Sequence, residues 1–211
     1  MTEWTAAPFV PDTRDIRKLA AAASACTGCP LHIDTTQTVF GEGRTAASMV
    51  LVGEQPGDQE DRQGHPFVGP AGRVLWQCLE QVGADRESIY VTNAVKHFKH
   101  EMRGKRRLHK KPATDEIEAC HPWLEAELRT VRSPVIVALG AVAARALFGR
   151  AMGIEANRGR TFEIGGRTAF ITYHPSAVLR ADERATEVRA ALVADLASAW
   201  QRAAAAARTS A

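Results

Sequence analysis

Residues 49–73 read 49-MVLVGEQPGDQEDRQGHPFVGPAGR-73. Met49–Gly53 is apolar without polar alternation, as a strand buried on both faces is. A loop rich in Gly, Pro and polar residues follows, and Gly69-Pro70-Ala71-Gly72 opens a helical pattern over Ala71–Val82. Strand, long loop, helix is one repeat of a parallel sheet. Three further apolar runs behave alike: 90-YVTNA-94, 135-VIVALG-140 and 169-AFITY-173. Helical patterns separate or follow them, over Thr114–Thr130 with its T-D-E-I-E opening, Ala141–Phe148 after Gly140, and Asp182–Ala207. Alternation of this kind predicts an α/β fold, a parallel sheet covered by helices.

A chain of 211 residues, 45% apolar, is expected to form one domain over 1–211. A short arm is expected at about 1–13 and fraying at about 205–211. The start MTEWTAAPFVPDTRD lacks a signal-peptide layout, and no run of 18 apolar residues occurs. A cytoplasmic, soluble protein with no membrane partner, expected as a monomer, fits these features. In that compartment the four cysteines suggest metal or reactive chemistry over disulfides.

Net charge is only +3, yet cations concentrate between Lys96 and Lys111. Arg103, Lys105, Arg106, Arg107, Lys110 and Lys111 surround one histidine, His109. Local concentration points to a polyanion, with a plain solvated loop as the bland alternative. The segment from Lys96 to Pro112 has no apolar period and reads as a long loop leaving the second strand. It therefore leaves the sheet edge where open α/β folds bind ligands.

Three motifs share that edge. In the first loop, glycines let backbone N–H groups approach a phosphate or base. Phe67 suits stacking on a flipped base, or else plugs the core. At the second strand's end, Asn93 offers the donor and acceptor that match a pyrimidine edge. After the last strand, 173-YHPSAVLR-180 puts His174 beside Glu54 and Asn93. Each of these has a structural reading as a βα connection, a strand end or a packed histidine. Three polar groups from three strand ends favour a site.

Cys26 and Cys29 form C-x-x-C, and Cys120 lies in a helical pattern. Cys78 reads as a core residue. His97 is the natural fourth ligand, and zinc and an iron–sulfur cluster both remain open from the residues alone.

Together, GEQPG, PFVGPAG, VTNAVK and HPS resemble the uracil-DNA glycosylase superfamily, and the cysteines resemble its iron–sulfur branch. The R-R-L-H run resembles the UdgX-type subgroup, which attaches covalently to uracil-DNA. The resemblance covers about Cys26 to Arg180. It implies a three-layer α/β/α fold on a four-stranded parallel sheet, and a structural [4Fe–4S] cluster on Cys26, Cys29, His97 and Cys120. It implies that Phe67 stacks on uracil, that Gly53 belongs to the uracil-binding site, that Asn93 reads the edge of the base, and that His174 bonds its O2. Gln55 stands where relatives that turn over carry alanine. Arg103, Lys105, Arg106, Arg107, Lys110 and Ser176 are implied phosphate contacts, on uracil-containing DNA with single strands preferred. Free uracil is the implied product.

Uracil departs from C1′ as an anion and leaves an oxocarbenium-like sugar. Donors must hold the anion, and Glu54 can stabilise the cation. Neighbouring cations push His109 below the usual imidazole value of about 6.5, so it keeps a lone pair at neutral pH. Held in place, it acts at an effective molarity of roughly 10⁵ M and outcompetes water. Proton transfer from its other nitrogen to Glu54 would leave a neutral, persistent adduct. Three readings follow: single-turnover capture through His109, conventional release of an abasic site, and a non-enzymatic nucleic-acid binder.

Overall fold

The computed structural model describes residues 4–209, so Met1–Glu3 of the expected arm and Ser210–Ala211 of the expected tail lie outside the described residues. Its strands are β1 (Met49–Gly53), β2 (Ile89–Asn93), β3 (His100–Arg103), β4 (Arg106–His109), β5 (Val135–Leu139), β6 (Thr161–Ile164) and β7 (Arg167–Thr172). Its α-helices are α1 (Ile16–Ala23), α2 (Asp58–Gln63), α3 (Pro70–Gln81), α4 (Thr114–Thr130), α5 (Ala141–Phe148), α6 (Ile154–Asn157), α7 (Ser176–Arg180) and α8 (Ala185–Thr209). The last helix thus continues through most of the stretch expected to fray, and a 3-10 turn at Asp182–Arg184 precedes it.

The four apolar runs become β1, β2, β5 and β7, parallel and adjacent in the order β2-β1-β5-β7. Their alternate residues feed two cores. Val50, Val52, Ile136, Ala138 and Ile171 face the layer that includes residues of α1, α4 and α5. Met49, Leu51, Val137, Leu139 and Phe170 face α3 and α8. Burial on both faces explains why these strands are apolar throughout, and each such Val, Leu or Ile contributes about 1.5–3 kcal/mol. The result is the expected three-layer α/β/α fold. Among the described residues no helix is long and apolar enough to cross a membrane.

Two expectations are corrected. The sheet has five strands: β6 adds antiparallel to β7 at the edge, through a turn at Gly165 and Gly166, with φ of 54° and 75°. Two successive left-handed residues are what a tight two-residue hairpin needs, and glycine supplies them without steric cost. The segment from Lys96 to Pro112 is not a structureless loop either. It folds as the antiparallel hairpin β3–β4, with Gly104 at its turn (φ 60°).

Candidate active site

The first strand order change occurs at β1, between β2 and β5, and ligands in such sheets bind beyond the strands' carboxyl ends. A cavity of about 600 Å³ opens there. It is lined by Glu54 and Gln55 after β1, Phe67 ahead of α3, Asn93 at the end of β2, His109 at the end of β4, and His174 after β7. Residues from distant segments of the chain thus line one cavity.

Phe67 and Asn93 make a slot whose floor is Gly53. A Cβ on Gly53 would stand 2.3 Å from Asn93 Oδ1 and 2.6 Å from Phe67 Cζ, so a larger residue would displace both side chains from the slot. Phe67 itself adopts a left-handed backbone (φ 56°), which costs a non-glycine residue about 1–2 kcal/mol. Trp76 Nε1 donates to its carbonyl at 3.2 Å and helps to hold that conformation. The Glu60 carboxylate closes the loop below, accepting from Gly69 N at 2.7 Å and Gly57 N at 3.2 Å.

His174 faces Phe67 with ring centroids 6.3 Å apart. Its Nδ1 accepts from the Ser176 backbone N–H at 3.2 Å and lies 2.7 Å from the Ser176 hydroxyl, which in turn accepts from Arg180 at 2.9 Å. The neutral ring therefore carries its proton on Nε2 and is a donor there. Burial, reinforced by Arg180 and His109, pushes His174 down to about 4, so it stays neutral at physiological pH. Ser176, expected on a DNA phosphate, spends its hydroxyl on this histidine and on Arg180.

The basic hairpin is docked by named contacts. Gln55 Nε2 donates to the carbonyls of Lys99 (3.1 Å) and Lys110 (3.0 Å), and its Oε1 accepts from Lys99 N at 3.0 Å. One buried amide thus holds both strands of the hairpin at their base. Arg107 pairs with Asp58 and Asp61 of α2, each at 2.6 Å, and lies over the Phe98 ring. It is not free to grip a phosphate, which corrects that expectation. Lys96, where the basic stretch begins, is fully buried and ion-paired with Glu127. Arg103, Lys105 and Arg106 are exposed at the hairpin tip, and Lys110 pairs loosely with Glu101 at 2.8 Å.

This docking sets His109 Nε2 3.4 Å from Glu54 Oε1. Burial lowers the His109 pKa, with Arg180 adding to the effect, and burial raises that of Glu54 against the pull of Lys111 and Arg180. The two shifts run toward each other, and burial favours the neutral form of each group. Arg180 is the residue sequence reasoning passed over. It lines the cavity and bears electrostatically on Glu54, His109 and His174 together. Its place six residues after His174 was the available signal.

Cys26, Cys29 and Cys120 are buried as free thiols. Burial pushes Cys120 up to about 12, and both other cysteines lie near enough to raise it further. Backbone N–H groups of Gly28 and Lys96 donate to the sulfurs of Cys26 (3.5 Å) and Cys120 (3.3 Å). His97 Nε2 is 3.0 Å from Thr38 Oγ1, whose own proton goes to the Ala23 carbonyl at 2.9 Å. His97 therefore donates from Nε2 and keeps a lone pair on Nδ1, the arrangement of a ligating histidine held by an outer partner. Cys78 sits in the core, as expected. Among the described residues no group of three or more His, Cys, Asp or Glu side chains stands in metal-holding geometry.

Comparison with known proteins gives a consistent result. Residues 40–197 match the uracil DNA glycosylase superfamily. Over 173 residues the chain is 38% identical to the type-4 uracil-DNA glycosylase of Thermotoga maritima, covering 81% of this chain and 85% of that protein. Over 177 residues it is 37% identical to the type-4 uracil-DNA glycosylase of Pyrobaculum aerophilum, covering 79% of this chain and 85% of that one. A type-5 uracil-DNA glycosylase of the latter organism is 31% identical over 152 residues, 64% of this chain and 63% of that protein.

Proposed function

The chain belongs to the uracil-DNA glycosylase superfamily, and on that premise we propose that it cleaves uracil from DNA once and keeps the deoxyribose on His109. Cleavage of the N-glycosidic bond of uracil in DNA is the activity carried over from the relatives. Covalent retention is the finer proposal, and the observation that carries it is His109 Nε2 standing 3.4 Å from Glu54 inside the cavity.

Uracil flips into the slot between Phe67 and Asn93, at a cost of a few kcal/mol that is least in single strands. Asn93 pairs with its edge. Nε2–H of His174 donates to O2 as charge develops on the departing base, an interaction worth about 3–4 kcal/mol where such donors have been removed. Glu54, beside the sugar, stabilises the cationic C1′. The C1′–N1 electron pair leaves with uracil. His109 Nε2, the ring atom nearest Glu54 and so nearest that cation, closes a new bond to C1′. The Nδ1 proton of the resulting imidazolium passes to solvent, and uracil takes one up. The adduct is a neutral N-substituted imidazole with no good leaving group. Because Nε2 faces the carboxylate, Glu54 stabilises the sugar and does not receive the Nδ1 proton.

Cys26, Cys29, Cys120 and the Nδ1 of His97 would hold a [4Fe–4S] cluster, in keeping with three neighbouring buried thiols, N–H groups aimed at two sulfurs and an oriented imidazole. When bound, the cluster supplies a structural cross-link among the N-terminal segment, α4 and the turn after β2, with no electron-transfer step.

The test is a single-stranded uracil oligonucleotide mixed with the protein, heated in denaturant and run on a gel beside His109→Ala. A heat-stable protein–DNA band for the wild type alone is expected. An alkali-labile abasic product without that band would mean conventional turnover, with the hairpin reduced to binding DNA.

A further inference from the structure

Lys96 and Glu127 are a buried lysine–carboxylate pair that the chemistry above does not use. Their side chains are 1% and 0% exposed. Desolvating two charges is costly, and apolar residues of similar volume are often as stable or more so. Lys96 Nζ donates to the Asn93 carbonyl at 2.7 Å and to Thr92 Oγ1 at 2.7 Å, besides its bond to Glu127. Glu127 in turn accepts from Tyr90 (2.8 Å), Thr92 (2.9 Å) and Gly41 N (3.0 Å). The last two residues of β2 are thus gripped from beneath by α4. From the same turn, Ala94 N donates to the Gly53 carbonyl at 2.9 Å and Val95 N to that of Glu54 at 3.0 Å. One segment links the base-edge residue, the pocket floor and the backbone of the carboxylate.

We propose that Lys96 is a positioning residue for pyrimidine recognition: its ammonium, held by Glu127, fixes the Asn93 carbonyl and so aims the Asn93 side chain at the imide edge of the base. This rests on the reading that Asn93 meets uracil. Loss of Lys96 alone leaves Glu127 buried and unpaired and threatens the fold, so the informative variant is Lys96→Met with Glu127→Gln, which removes both charges and keeps an acceptor for Tyr90 and Gly41.

Two readouts separate the outcomes. Hydrogen exchange of the segment 89–97 should rise about 10-fold in the paired variant while β5 stays as protected as in the wild type. Unchanged exchange in a folded variant overturns the proposal whatever the protein excises. Uracil excision under single-turnover conditions should fall about 10-fold in the paired variant, yet change little when the same pair is placed in an Asn93→Ala background. Equal losses in both backgrounds overturn it, since a merely structural lysine acts independently of Asn93. If Asn93→Ala by itself leaves excision unaffected, the reading of Asn93 has failed, and the exchange result shows separately whether Lys96 orders that segment.

Discussion

Gln55→Ala should uncouple capture from excision. The side chain is 6% exposed, and all three of its hydrogen bonds go to the backbone at the base of the hairpin carrying His109. At a net of about 0.5–1.5 kcal/mol each, their loss amounts to roughly 1.5–4.5 kcal/mol of docking free energy. The hairpin keeps the Arg107 pairs with Asp58 and Asp61 of α2. Water can also re-satisfy part of the exposed backbone. The lower end of the range is therefore the working figure, about 10-fold in the population of hairpins that present His109 correctly. Phe67, Asn93 and His174 stand on other loops, so uracil release should change by less than about 3-fold, as for a residue acting only on the capture step. The assay is a time course with protein in excess, scoring cross-linked DNA and alkali-labile abasic DNA from each sample. A 10-fold fall in the ratio of adduct to abasic product is expected. An unchanged ratio, with the variant folded, would refute the positioning role of Gln55.

His109→Ser should abolish the adduct and admit water to C1′, so that alkali-labile product appears; a persisting adduct would remove His109 as nucleophile. Arg107→Ala should leave the salt dependence of DNA binding unchanged and destabilise the protein by about 3 kcal/mol in urea, because Asp61 is fully buried and loses its cation. Arg106→Ala, at the exposed tip, should instead reduce the salt slope by about 1 and leave stability alone. In the pH profile, His109 has a folded value below the ordinary 6.5, so adduct formation should persist through pH 6.5 and fail only at lower pH as the imidazole protonates. His174 has the same sign: the unfolded chain binds its proton near 6.5 and the folded chain only near 4. Its contribution to stability is present above 6.5 and is lost as pH falls toward 4, at up to about 1.4 kcal/mol per pH unit, measurable by urea titration across that range.

The parallel strands were legible because burial on both faces leaves an unbroken apolar run, as in Met49–Val52 and Val135–Leu139. The residues gathered in the cavity were legible because each follows such a strand or stands in the loop after one. The edge strand β6 was missed although Ile164-Gly165-Gly166-Arg167 carries the two-glycine signal of a tight hairpin; the strand is half exposed and too polar to register as apolar. The β3–β4 hairpin had no comparable signal. HEMR and RRLH are poor strand sequences, and what makes them strands is tertiary: the Gln55 amide at their base and the Arg107 pairs with α2. Arg107 itself shows the limit of reading a basic run as one electrostatic unit. Its acidic partners, Asp58 and Asp61, are three residues apart and so share a helix face, but they lie nearly fifty residues away in the chain. Lys96 was counted with the same run, and only the structure shows it turned inward onto Glu127.

The most direct test of covalent capture is the intact mass of the product, followed by peptide mapping. After one turnover on a uracil oligonucleotide, the account predicts a species equal to protein plus oligonucleotide minus one uracil, with the nucleotide on the peptide containing His109. An adduct on another residue, or unmodified protein beside free abasic DNA, would contradict it.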